Sequence, residues 1–128
     1  MKIEVSIGEV VDKITILEIK LKKIKDEKKL QYVKQELSIL QDTLRVENAV
    51  VPAELVRELR EVNEQLWDAE DVIRDCENRE DFGESFVKCA RLDAILNDKR
   101  FLVKNKINNY CDSSIKEQKS YDGLYTAN

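Results

Sequence analysis

Asp93, Asn97, Arg100 and Lys104 recur at spacings of 4, 3 and 4, which places a carboxylate, an amide and two cations in one row along a helix. The apolar residues Phe82, Phe86, Cys89, Leu96, Val103, Ile107 and Tyr110 share that side, whereas Lys88, Arg91, Lys99 and Lys106 form an evident wet side. Charges set among apolar neighbours must be paired, because removing water from them singly is expensive. Two chemistries fit. In one, the row is an interhelical salt-bridge network that fixes helix register. In the other, Arg100 and Lys104 hold an anion while Asp93 and a partner acid orient it. Asn63, Glu70 and Glu77 of an acidic helix, and Asp12 of the first helix, are the groups expected to face the row. The register-fixing reading is preferred.

Other chemistries find little support. The three cysteines, Cys76, Cys89 and Cys111, are widely spaced with no CxxC pair, and the chain contains no His. A zinc site would need thiolates and carboxylates alone, so no metal and no cofactor are expected. Reduced thiols point to a cytoplasmic protein. The carboxylates Glu64, Asp68, Asp71 and Asp75 read as a solvated helix face. No glycine-rich phosphate loop and no nucleophile–base pair is present. The basic stretch Lys20–Lys29 alternates with Leu21 and Ile24 and lacks arginine and aromatic residues, which argues against nucleic acid as a partner. Length and a long opening helix resemble the small helical chorismate mutases. Their dicarboxylate substrate calls for converging arginines, and the first arginine here is Arg45, so that resemblance stops at shape.

The elements that must position these groups are helices. Only three Gly and one Pro occur in 128 residues, with 38% charged and 42% apolar side chains, a composition of long regular helices rather than disorder. No stretch suits a signal peptide or a membrane span. Ser6-Ile7-Gly8-Glu9 has the form of a capping box. Val10, Ile14, Leu17, Leu21 and Ile24 then make one helical stripe, and Leu30, Val33, Leu37, Leu40 and Leu44 a second; near Asp26 either a turn reverses the chain, the reading favoured here, or one long helix bends. Pro52 suits the first turn of a third helix, whose stripe runs Leu55, Leu59, Val62, Leu66, Ala69, Ile73 and Cys76. Gly83 is expected to supply an unusual backbone conformation before a fourth helix. Ile16 and Ile19 fall about 140–160° from the helix 1 stripe. Either helix 1 is central and covered on both sides, or a second chain covers it in a homodimer, the reading favoured here, with Ile16, Ile19 and Trp67 as interface residues.

The segments IEVSIGEVVDKITILEIKL (3–21), VNEQLWDAEDVIRDCE (62–77), FGESFVKCAR (82–91), NDKR (97–100) and KEQKSY (116–121) resemble an uncharacterised bacterial domain-of-unknown-function family of short helical proteins. Residues 92–96, LDAIL, depart from its pattern. The resemblance implies no established activity or ligand. It implies an accessory role in cell-surface polysaccharide biosynthesis, with a glycosyltransferase-type protein partner.

The sequence thus specifies an all-α antiparallel bundle of about four main helices, two of them long (about 52–79 and 84–109). The bundle domain is expected over 1–110 and an irregular tail over 111–128, with Tyr121 and Tyr125 packed on the bundle. The expected function is a non-enzymatic interaction or assembly module. The alternative is an anion-binding protein or small enzyme with a site between helices 1, 3 and 4, lined by Asp12, Asn63, Glu70, Asp93, Asn97, Arg100 and Lys104.

Overall fold

The computed structural model describes residues 1–124; the expected packing of Tyr125 lies outside them. Four helices follow in order, α1 (Ile7–Lys23), α2 (Glu27–Val46), α3 (Ala53–Asn78) and α4 (Glu84–Tyr110), and the fold is all-α. Ser6 caps α1 as expected, its hydroxyl accepting from the Glu9 N–H at 3.1 Å. The returning half of the capping box does not form, because the Glu9 carboxylate accepts instead from Lys104 at 2.8 Å. The chain turns at 24–26, where Ile24 is extended and the Asp26 side chain accepts from Lys29 N–H to start α2.

Two sequence expectations about backbone are corrected. Pro52 is the N-cap of α3 rather than a residue of its first turn; its missing N–H is harmless there too. Gly83 has φ −78°, within reach of any residue. The left-handed conformation in the α3–α4 turn belongs to Glu80 at φ 53°, as it does to Asn48 and Asp112 at the other helix ends. Each of these three follows a helix C-cap, where such a residue lets the last carbonyls be satisfied.

α1 is the central element, packed against α2, α3 and α4, while α3 and α4 form a long antiparallel hairpin and α2 packs on α1. The chain is therefore layered as α2, then α1, then the hairpin. Two faces of α1 are used. Val10, Ile14 and Leu17 meet Val33 and Leu37 of α2. On the other side Val11 packs with Leu59, Val103 and Ile107, and Gly8, Asp12, Thr15 and Ile19 are buried in the same direction. Ile19 is 2% exposed within one chain; Ile16 and Trp67 are half-buried. Of the two geometries open to α1, it adopts the central one, and covering Ile19 requires no second copy.

After α4 the described tail holds no regular element, but it is tied down. Ser113 Oγ accepts from Ile7 N–H, Lys104 bonds Glu117, and the Tyr121 hydroxyl donates to Asp98. Among the described residues, no helix is long and apolar enough to cross a membrane, and the three cysteines are free.

Candidate functional site

The row on α4 divides between two neighbours. Its C-terminal half turns to α1. Arg100 grips Asp12 through one edge of its guanidinium, Nε donating to Oδ1 at 2.9 Å and a terminal nitrogen to Oδ2. Asn63 of α3 donates its amide to the same Oδ1 and to the Thr15 hydroxyl, each at 2.9 Å. That hydroxyl in turn donates to the Asp12 carbonyl at 2.8 Å. Asp12 is 0% exposed. A buried carboxylate is tolerable only when its lone pairs are filled by charged and neutral donors, and here both oxygens are. The Arg100 guanidinium is held above its ordinary pKa, chiefly by the Asp12 bond and against the cost of burial.

One turn further on, Lys104 extends the arrangement. Its stem is buried, and its ammonium lies 2.8 Å from Glu9 and 3.1 Å from Glu117. Burial works against the charge, but the two carboxylates outweigh it and raise the Lys104 pKa. Glu117 also pairs with Lys119 at 2.9 Å. Burial pushes the Glu117 carboxyl up, yet the bonds from Lys119 and Lys104 win and hold it below its ordinary value. Arg100, Lys104 and Lys119 thus face Asp12, Glu9 and Glu117, a charge-balanced set. Next on the row, Asn108 accepts from Gly8 N–H at 2.6 Å.

The N-terminal half of the row turns instead to α3. Asn97 donates to the Asp93 carbonyl at 2.9 Å and to its Oδ2 at 3.3 Å. Asp93 Oδ1 is buried with no hydrogen-bond partner. Glu70 stands beside it, its carboxyl raised above the ordinary range by burial first and then by the bond to Asp93 and that residue's charge, against Arg100 and Arg74. Two carboxylates side by side disfavour each other's charge.

Of the residues expected to face the row, Asp12, Asn63 and Glu70 do so; Glu77 is exposed and forms no bond with it. Glu9, Thr15, Asn108 and Glu117 complete the network without having been anticipated. Asn108 continues the spacing from Lys104 by 4, and Thr15 follows Asp12 by 3, so both carried a visible signal. Glu117 carried none, since it comes from an irregular tail. Two surface grooves lie elsewhere. One of about 640 Å³ sits at the start of α1, between Ile3, Val5, Val50 and Ile115, with Glu4 and Glu47 at its edge. The other, about 580 Å³, lies on α4 beside Val87, Leu92 and Ile95. Neither is lined by a residue of the row. Among the described residues, no group of three or more carboxylates or thiols is placed to hold a metal.

The chain belongs to the Family of unknown function (DUF6165), whose model matches residues 1–127. No curated protein and no solved structure matches it.

Proposed function

We propose that this chain is a non-enzymatic helical interaction module whose buried polar row fixes helix register. The observation that supports this most is the occupancy of Asp12 and Arg100. Both carboxylate oxygens of Asp12 are taken up by Arg100 and Asn63, and one edge of the guanidinium is spent on Asp12. An anionic ligand that took the edge of Arg100 facing Asp12 would leave a buried carboxylate uncompensated. Lys104 is committed in the same way to Glu9 and Glu117. Catalysis by proton transfer would need an acid or base within reach of a cleft, and neither of the two grooves described is lined by Glu9, Asp12, Glu70, Asp93 or Glu117.

A module of this kind works through its outside. Exposed apolar side chains lie in two places, around the groove at the start of α1 (Ile3, Val5, Val50, Ile115) and on the hairpin (Val72, Val87, Leu92), and grouped apolar surface marks interaction sites. The reading includes a cytoplasmic location, supported by three free cysteines. A glycosyltransferase-type partner rests on the family resemblance and on no feature of the fold.

Thermal melts with phosphate, sulfate and a dicarboxylate such as malonate separate the module from an anion binder. The module reading expects no more than the general salt effect, equal in wild type and Arg100→Lys. A saturable rise in Tm with one of these anions, lost in Arg100→Lys, would favour the binder.

A further inference from the structure

The groove at the start of α1 is built largely by parts of the chain outside the helices: the lead-in before α1, the α2–α3 connection and the tail. Ile3 and Val5 come from the first, Val50 from the second and Ile115 from the third, and all four are exposed. Val10 and Leu44, from the core between α1 and α2, line it as well. A concave space of about 640 Å³ with aliphatic walls is large enough to take several side chains of a partner.

The charges that line this groove have one sign. Glu4, Glu47 and Asp112 border it, each exposed, and no lysine or arginine is among its lining residues. None of the three carboxylates forms an ion pair or a hydrogen bond among the described residues. Lys2 and Lys116 adjoin the groove in sequence, but neither lines it and both are exposed. An acidic rim around an aliphatic centre repels nucleic acid and anionic lipid and favours a partner of opposite charge. The lead-in adds main-chain groups. The backbone of residues 2–5 is exposed and makes no hydrogen bond among the described residues, so its N–H and C=O groups are open to the main chain of an extended peptide.

We propose that this groove docks a basic, aliphatic peptide segment of a partner protein. Its aliphatic side chains lie on Ile3, Val5, Val50 and Ile115, and its lysines or arginines reach Glu4, Glu47 and Asp112. This rests on the interaction-module reading and gives the partner a chemistry. An extended segment in which apolar and basic residues alternate puts its apolar side chains on one face, while long, flexible basic side chains bend to the rim.

Fluorescence anisotropy tests the proposal, with a labelled peptide of alternating Leu and Lys, about eight residues long, titrated with the full chain at physiological salt. Saturable binding is expected, with counterparts carrying Glu for Lys, or Ser for Leu, at least about tenfold weaker. Glu4→Lys/Glu47→Lys should weaken binding of the Leu–Lys peptide about tenfold or more, and Ile3→Ser/Val50→Ser about fivefold or more. Glu61→Lys/Asp71→Lys makes the same change of charge on α3 and should leave the affinity within about twofold. All the altered side chains are exposed, and an unchanged circular dichroism spectrum is expected for each variant. The absence of saturable binding, an equal loss from the α3 swap, or equal affinity for either counterpart overturns the proposal. So does n-octylamine binding as tightly as the peptide, which would make the occupant a small amphiphilic cation. A wild-type dimer in light scattering that is lost in Glu4→Lys/Glu47→Lys overturns it too, by putting a second copy in the groove. Each of these results leaves the anion melts to decide the module reading independently.

Discussion

Gly8 of α1 and Asn108 of α4 meet with no side chain between them: the glycine N–H donates to the asparagine Oδ1 at 2.6 Å. A Cβ at Gly8 would lie 2.7 Å from the Lys104 carbonyl and 2.8 Å from that same Oδ1. This contact sets how closely the first turn of α1 approaches α4, and so whether Asp12 and Glu9 reach Arg100 and Lys104.

Gly8→Ala should therefore destabilise the chain even though alanine favours a helix by about 1 kcal/mol. The clash is with backbone, and overpacking of that kind costs about 1–3 kcal/mol. Asn108→Ala should cost a similar amount, about 1–3 kcal/mol, by leaving the buried Gly8 N–H without an acceptor. Urea unfolding of both variants provides the check; a more stable Gly8→Ala would contradict the close approach.

Removing either member of the Asp12–Arg100 pair should be severe. Arg100→Met leaves a buried carboxylate and Asp12→Leu leaves a half-buried guanidinium, each at a cost of about 3 kcal/mol. The double variant Asp12→Leu/Arg100→Met should lose less than either single one, since no charge is then stranded. Equilibrium unfolding of the three variants measures the coupling directly.

The isoleucines of α1 should behave differently from one another. Ile19→Ala should cost about 2–4 kcal/mol, because a fully buried side chain leaves a cavity. Ile16→Ala, at a half-buried site, should cost clearly less. Neither should change the oligomeric state, which size-exclusion chromatography with light scattering reads out.

Glu70 and Glu117 should act on pH stability with opposite signs. Glu70 is raised in the fold from an ordinary 4.5, by burial and then by Asp93. The folded chain thus holds this proton more tightly, and stability from Glu70 is complete below 4.5 and declines as pH rises through the raised value. Glu117 is lowered from 4.5: burial opposes the shift, but bonds from Lys119 and Lys104 outweigh it. Its contribution is present above 4.5 and is lost as pH falls through the lowered value. Glu70→Gln should raise Tm at neutral pH and remove the upper decline. Glu117→Gln should cost less than about 1 kcal/mol at neutral pH and flatten the acid limb. Melts from pH 3 to 8 distinguish these outcomes.

Much of the architecture was written in apolar spacing. The stripes of α1, α2 and α3 appear in the fold as the buried rows around Val10–Leu17, Val33–Leu37 and Leu59–Cys76. Near Asp26 the spacing showed only a change of stripe, compatible with a turn or with one long bent helix, because no Gly or Pro marks the place; the Asp26 cap that makes it a turn appears in the fold. The partners of the polar row were only half legible. Spacing says which side chains share a face, but not which neighbouring helix that face meets, and α4 twists its row from α3 onto α1 partway along. The Glu80 turn was assigned to Gly83 because glycine has the lowest cost in that conformation. The chain places it on Glu80, where the preceding carbonyls need satisfying. Tail residues such as Glu117 follow no periodicity, so nothing in the sequence alone ties them to Lys104.

The bonds that lock α1 join residues far apart in the chain: Asp12 to Asn63 across 51 positions, to Arg100 across 88, and Gly8 to Asn108 across 100. As the chain leaves the ribosome, α1 and α2 can pair at once. The other side of α1 is fully covered only once both α3 and α4 have emerged. During that interval Asp12 remains a solvated carboxylate, which discourages misplaced burial of the neighbouring Ile19 and Val11. The ion pair that joins the layers thus forms only once α4 is in place, late in the order of closure.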